Sequence, residues 1–366
     1  MQNRRGKMHM ADRNLTLSGK RILITGAAGF IGANLTMGIL DAVPDVCIIG
    51  IDNMNDYYDV SLKEYRLENI RQRAEQVSGK FIFIKESIAN KEAVTAVFDR
   101  YRPELVVNLA AQAGVRHSID NPDAYVESNL IGFYNILEAC RHSYDRRDGG
   151  DCYAGVQHLI YASSSSVYGF NEKVPYSVSD KADCPVSLYA ATKKSDELMA
   201  YAYAKLYQIP STGLRFFTVY GPAGRPDMAY FKFTDKLVRG EAIQIYNYGD
   251  MKRDFTYIDD IVRGVQRVME KLPEENGQGV RYKLYNIGNN HPEDLLYFVE
   301  TLERCLLREG VIKQKARREF LPMQPGDVYQ TYADISELEA DFGFRPETPL
   351  EKGLEQFVHW YREYYG

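Results

Sequence analysis

Short apolar runs separated by helical stretches constrain this chain more than any other feature. Arg21–Thr25 leads into a glycine turn and a helix, Val46–Ile51 follows, and Lys80–Ile84, Leu105–Leu109 and His158–Ala162 repeat the pattern. Strand-length runs alternating with helix-length segments fit a parallel sheet whose crossovers cover both faces. The expected fold is therefore α/β, a doubly wound parallel sheet. Long helices are expected at 127–143 and 188–207, the second with apolar residues at Leu198, Tyr201, Ala202 and Leu206. Beyond Thr212–Phe217 the alternation breaks into a loop-rich region holding Pro222, Pro226, Pro273, Pro292, Pro322 and Pro325. That region reads as a smaller C-terminal mixed α/β lobe whose loops build a substrate surface.

These patterns divide the chain into a flexible polar tail (1–19), a main domain (20–215) and a lobe (216–366), of which about 255–292 returns to the main domain. Residues 144–155, polar and glycine-rich, read as a solvated insertion. At 366 residues a main domain with a second lobe is expected. A formal net charge of −5 argues against a general nucleic-acid binder, while leaving room for a local basic pocket. Cys47, Cys140, Cys152, Cys184 and Cys305 form no CxxC pair and do not cluster with histidines, so free thiols in a reducing cytoplasm are expected and no metal site is. The tail carries Arg4, Arg5 and Lys7 but no apolar signal-peptide core, and no run approaches the ~18 apolar residues of a membrane span.

Gly26-Ala27-Ala28-Gly29-Phe30-Ile31-Gly32 lies between the first strand and its helix. Glycines there let the backbone turn tightly and approach a pyrophosphate at a helix N-terminus, the arrangement of a Rossmann dinucleotide site. Asp52 ends the second strand, where a carboxylate accepts from a ribose hydroxyl and repels a 2′-phosphate, which favours NAD over NADP. The competing role for Asp52 is a turn with Asn53.

Four consecutive serines, Ser163 to Ser166, end the fifth apolar run ahead of Val167-Tyr168-Gly169. About one helical segment later, Tyr189 and Lys193 stand four residues apart and share a helix face. A lysine cation beside a phenol favours the phenolate, which then serves as a base toward a sugar hydroxyl. In these motifs the chain resembles the extended short-chain dehydrogenase/reductase family from about residue 20 onward. The resemblance implies a Ser164, Tyr189, Lys193 triad, and cofactor contacts from Gly26, Gly29, Phe30, Ile31, Gly32, Asp52, Asn53, Ala110, Tyr189 and Lys193.

Family members that dehydrate or decarboxylate nucleotide sugars carry an acid directly after the triad hydroxyl. Here those positions are Ser165 and Ser166, both candidate substrate contacts and neither an acid, which leaves oxidation and re-reduction at one carbon. Four further segments, Gln112–Arg116, Arg215–Ala229, Asn247–Phe255 and Pro322–Val328, look very similar to those of UDP-glucuronate 4-epimerases. That likeness implies a UDP-sugar substrate, a homodimer built through the two long helices, and a role in surface-polysaccharide supply. A planar guanidinium can hold a C6 carboxylate bidentately, and Arg225, with Thr218 beside it, is the candidate; Arg116 is a second. By resemblance Arg253 meets the diphosphate and Asp327 lies near the nucleotide ribose. For Gln244 a uracil contact and an ordinary strand position both stand open. The rival functions are a 4-epimerase for neutral or N-acetylated hexoses, a uronate decarboxylase, and a silent dinucleotide-binding regulator.

Overall fold

The computed structural model describes residues 14–146, 153–324 and 327–366. Strands β1 (Arg21–Thr25), β2 (Cys47–Asp52), β3 (Lys80–Lys85), β4 (Leu105–Asn108), β5 (His158–Ser164) and β6 (Ser211–Phe216) occupy the first part of the chain. The remainder adds β7 (Thr218–Tyr220), β8 (Ile243–Ile245), β9 (Lys252–Tyr257), β10 (Tyr282–Ile287), β11 (Pro292–Asp294) and β12 (Arg318–Phe320). Seven of them make one parallel sheet in the order β10-β6-β5-β4-β1-β2-β3. The chain enters at β1, winds outward through β2 and β3, then returns to place β4 on the other side. Such a reversal opens a crevice at the carboxyl ends of the strands, where ligands of doubly wound sheets bind. The lobe holds a three-stranded sheet, β11-β9-β7, and the pair β12-β8.

Alternate residues of each strand feed opposite faces, because side chains along a strand point to alternate sides. Ile22, Ile24, Ile48, Leu105, Val107 and Ile160 join a core that continues through Phe255, Phe298 and Phe357 of the lobe. Leu23, Ile49, Val106, Leu159 and Tyr161 join a second core with Phe98, Phe133 and Ile136. One continuous apolar body thus fixes the lobe against the sheet.

Several local expectations change. Leu17 is buried, the Leu15 N–H donates to Glu270 O at 3.0 Å, and Asn14 Oδ1 accepts from Leu272 N–H at 2.7 Å. The chain is therefore anchored from residue 14, well inside the stretch read as tail; residues 1–13 lie outside the described ones. The insertion is also held at its ends, by Tyr144 donating to Val156 O and buried Tyr153 donating to Pro103 O. Its residues 147–152, with Cys152, lie outside the described ones. Strand β5 runs on to Ser164, so two of the four serines belong to it.

The helix expected from 127 opens with a π turn, Val126–Ile131, and continues as Gly132–Ser143. Leu188–Tyr207 is helical over the span expected, started by Ser187, whose Oγ accepts from Ala190 N–H at 3.1 Å. Its apolar stripe faces the other way, however: Leu198 is 63% exposed and Leu206 68%. The inner face carries Ala190, Ala200 and Ala204, small enough for close approach to the sheet, with buried Lys193, Asp196 and Glu197.

His158, the first residue of β5, is fully buried and its Nε2 lies 2.9 Å from Thr212 Oγ1. Burial pushes the imidazole down from 6.5 to about 3. The unfolded chain takes up this proton near pH 6.5 and the folded chain does not, so stability is intact above that pH and declines as pH falls toward 3. The expected slope is roughly 1.4 kcal/mol per pH unit. Urea unfolding of His158→Gln between pH 6.5 and 4.5 should be flatter by about one proton than that of the parent; parallel slopes would show that His158 is protonated in the fold.

Candidate active site

The glycine loop follows β1 directly. Gly26 has φ +70°, and a Cβ there would lie 2.8 Å from Ala110 N, where the segment after β4 passes behind the loop. A Cβ on Gly32 would stand 2.1 Å from Gly26 O, so the helix Phe30–Ala42 can start against the loop only with glycine at that position. That helix has no side-chain cap and no acid in its first turn. Its N-terminal N–H groups and positive dipole end are therefore available to an anion. The cradle fits a dinucleotide pyrophosphate.

Gly26, Gly29, Phe30, Ile31, Gly32, Asp52, Asn53 and Ala110 all line one cavity, as do Ser164, Tyr189, Lys193 and Arg225. Asp52 has more partners than a ribose acid needs. Its Oδ2 accepts from Ala28 N–H at 3.1 Å, its Oδ1 accepts from Met54 N–H at 2.9 Å, and Lys63 Nζ is 3.8 Å away. The turn beyond Asp52 is thus closed by its own carboxylate, which also braces the glycine loop. Lys63, absent from the sequence-based set, is buried, donates to Asn55 O and Oδ1, and lines the same cavity.

Tyr189 sits in the first turn of the helix Leu188–Tyr207, with the ring of Tyr125 at 6.0 Å, edge to face. One turn on, Lys193 Nζ donates to Ala162 O at 2.9 Å and to Asp196 Oδ2 at 3.2 Å, which fixes the ammonium under the end of β5. Burial pushes the Asp196 carboxyl up to about 7, against the pull of Lys193. Ser164 Oγ donates to Ser166 Oγ at 3.1 Å and accepts from Ser166 N–H at 3.2 Å, closing the short helical turn Ser165–Tyr168. Ser163 donates to Glu197 Oε1, itself bound by Arg215, so it belongs to a buried structural network. Asn129 was not foreseen. The wider π turn directs it inward, where it accepts from Gln112 N–H and donates to Gln112 O and to Thr192 Oγ1, between Tyr189 and Lys193.

Arg225 enters the cavity already gripped. Its Nε donates to Asp227 Oδ1 at 3.0 Å and its Nη2 to Asp227 Oδ2 at 2.5 Å, while Tyr57 donates to the same Oδ2 at 3.2 Å. Burial opposes the guanidinium's charge, but Asp227 outweighs it and pushes Arg225 above its ordinary range. Neither Asp227 nor Tyr57 was singled out from the sequence, although Asp227 stands two residues from Arg225.

The other expected substrate residues do not line this cavity. Ser165 and Ser166 lie in the turn beyond β5, and Thr218 begins β7, part-buried. Arg116 pairs elsewhere than with Arg225's partners: its Nη2 pairs with Asp327 at 3.0 Å and its guanidinium lies over the Tyr246 ring at 5.3 Å. Those contacts join the loop after β4 to the segment after β12 and to the turn after β8. Arg253 donates to the carbonyls of Lys252 and Tyr329 at 2.9 and 3.1 Å. Gln244, in β8, lies within 3.4 Å of Lys236 Nζ and accepts from the Tyr246 hydroxyl. Among the described residues no group of histidine, cysteine and acidic side chains could hold a metal ion.

Comparison with known proteins agrees with this geometry. The family model described as GDP-mannose 4,6 dehydratase matches residues 23–357. Protein CapI of Staphylococcus aureus is 49% identical over 94% of this chain and 99% of its own length. The probable UDP-glucuronate 4-epimerase of Rhizobium meliloti is 43% identical over 94% of this chain and 98% of its own. Among solved structures, the UDP-glucuronic acid 4-epimerase of Bacillus cereus, in complex with UDP-glucuronic acid and NAD, superposes with a TM-score of 0.79. It is 32% identical and the match covers 94% of this chain and 100% of that one. With the glycine cradle and the Ser164, Tyr189 and Lys193 side chains in one cavity, the chain belongs to the extended short-chain dehydrogenase/reductases of the GDP-mannose 4,6-dehydratase type.

Proposed function

We propose that this chain is a UDP-glucuronate 4-epimerase that uses NAD to interconvert UDP-glucuronate and UDP-galacturonate. The observation that carries the reading is a single cavity holding the dinucleotide cradle, the Ser164, Tyr189 and Lys193 side chains, and a cation at Arg225. NAD in the cradle supplies a reversible hydride acceptor for C4 of the sugar. Tyr189 takes the C4 hydroxyl proton during oxidation and returns it on re-reduction. Ser164 turns its hydroxyl from Ser166 to the C4 oxygen, and Lys193, held by Ala162 O and Asp196, keeps a positive charge beneath the site. With serine at 165 and 166, no carboxyl follows Ser164 to drive elimination. The 4-keto sugar turns over in the cavity while Arg253 anchors the diphosphate and Asp327 the ribose, once Arg116 releases Asp327.

Arg225 gives the site its preference for a uronate. Asp227 occupies Nε and one side of Nη2, which leaves the Nη1 edge for a C6 carboxylate, with Thr218 completing its hydrogen bonds. A neutral hexose would leave that edge unmatched. The 4-keto uronate is a β-keto acid: if C5–C6 breaks, its electron pair passes to the ketone as an enolate, CO₂ leaves, and water protonates C5. A carboxylate held off the perpendicular to the carbonyl plane resists this loss. The same reading carries a cytoplasmic setting, which the four free thiols among the described residues suit, and a role in surface-polysaccharide supply.

A homodimer belongs to the same reading. Leu198, Ala202 and Leu206 recur every four residues on one exposed face, and Ile131 and Tyr134 of the neighbouring helical stretch are exposed beside them. Two such surfaces would close a four-helix interface.

Tyr189→Phe should lower kcat on UDP-glucuronate by roughly 10²–10⁴-fold while bound NAD stays at the parent level. Arg225→Ala should raise KM and also release UDP-4-keto-pentose, detected by mass spectrometry; a raised KM with no pentose would remove the protective role of Arg225. Leu198→Glu combined with Leu206→Glu should convert a dimer into a folded monomer in light scattering. A parent that is already monomeric, or a variant that remains dimeric, would place no interface on this face.

A further inference from the structure

Arg66, in the helix Val60–Gln76, is 3% exposed and does not line the cavity. Its guanidinium makes five hydrogen bonds. Nη1 donates to Ala28 O at 3.0 Å and to the Tyr58 hydroxyl at 2.7 Å. Nε and Nη2 both donate to Ala223 O, at 2.9 and 2.6 Å, and Nη2 also donates to Gly224 O at 2.9 Å. No carboxylate pairs with Arg66 among the described residues. Burying a guanidinium without a counter-charge is costly, and lysine, a single-point donor, could not replace its fork. The five bonds show what the fork is used for.

The carbonyls that Arg66 holds belong to two functional loops. Ala28 lies between Gly26 and Gly29 of the cradle, and its own N–H is fixed by Asp52. Ala223 and Gly224 immediately precede Arg225, and Ala223 is held at φ +51°, a left-handed conformation that a non-glycine residue adopts only under restraint. Tyr57 and Tyr58 brace the same junction, the first through Asp227 and the second through Arg66. Lys63, one turn before Arg66, is a second buried cation, with the Asp52 carboxylate 3.8 Å away and the exposed Asp56 also acting on it.

We propose that Arg66 is a positioning residue that couples retention of the dinucleotide to capture of the sugar carboxylate, by tying the Ala28 turn and the Ala223–Gly224 turn into one unit. The proposal rests on the reading above that Arg225 meets the carboxylate. When the cradle is filled, the Arg225 loop is set; when the cradle empties, the carboxylate site loosens with it.

Arg66→Lys keeps the charge and loses the fork. NAD per protomer in the desalted protein, released by acid and quantified by mass spectrometry, should fall about tenfold. With NAD added to saturation the variant should still release UDP-4-keto-pentose, because the Arg225 turn remains loose. Leu302→Ala, a core truncation in the helix Leu295–Arg308, serves as a destabilised control, with the Tm of both variants measured alongside, and should keep its NAD and yield no pentose. If Arg66→Lys behaves like that control, Arg66 is packing alone and the proposal is overturned. If NAD is lost but no pentose forms under saturating NAD, the coupling is overturned. A parent enzyme that does not convert UDP-glucuronate would refute the functional reading instead, and the NAD content would still report on the cradle. Hydrogen exchange on the parent chain needs no variant: removing NAD should deprotect residues 26–33 and 221–228 together, and deprotection confined to the first stretch would overturn the coupling.

Discussion

Three backbone segments meet at the carboxyl ends of β1 and β4, and the site depends on how closely they do so. Gly26 lets the loop pass against Ala110, Gly32 lets the helix begin against Gly26 O, and no side chain intrudes at either contact. Asp52 and Arg66 then hold the two sides of Ala28, one by its N–H and one by its carbonyl. A backbone fixed in this way presents donors to an anion without reorganising when the anion arrives, which is the basis of electrostatic preorganisation. The main sheet, the helix Val60–Gln76 and the lobe all contribute a bond to this junction.

Charge at the cavity is distributed so that Lys193 and Arg225 each have a defined partner. Lys193 rests on Ala162 O and Asp196, and Arg225 rests on Asp227. Both pairs keep a cation in a low-dielectric site while fixing the direction in which it points. Arg66 stands apart from them because carbonyls and the Tyr58 hydroxyl satisfy it, with no carboxylate partner among the described residues, and it therefore joins loops rather than balancing a carboxylate.

What could be read from the chain was the part governed by local rules. The cradle follows from glycine spacing between a strand and a helix, and the Tyr189, Lys193 pair follows from helical period, so both were legible. Periodicity in 188–207 identified an apolar stripe but not its direction, and Leu198 and Leu206 turned out to face outward. The π turn at Val126–Ile131 shifts the register by which Asn129 would be judged, and so hid it. Long-range partners were beyond reach: Arg116 meets Asp327 across 211 residues, and Arg66 meets Ala223 across 157. Nothing local to Arg66 or Tyr57 distinguishes them from other polar residues of a surface helix and loop.

The central claim is that one hydride leaves C4 and returns to C4 of the same sugar inside a closed site. UDP-glucuronate carrying deuterium at C4 tests it directly, with product formed by the purified chain in ordinary water, without added NAD, and analysed by proton NMR. Retention of deuterium at C4 of UDP-galacturonate is expected. Loss of the label to solvent, or conversion that occurs only when external NAD is supplied and carries the label away, would contradict it.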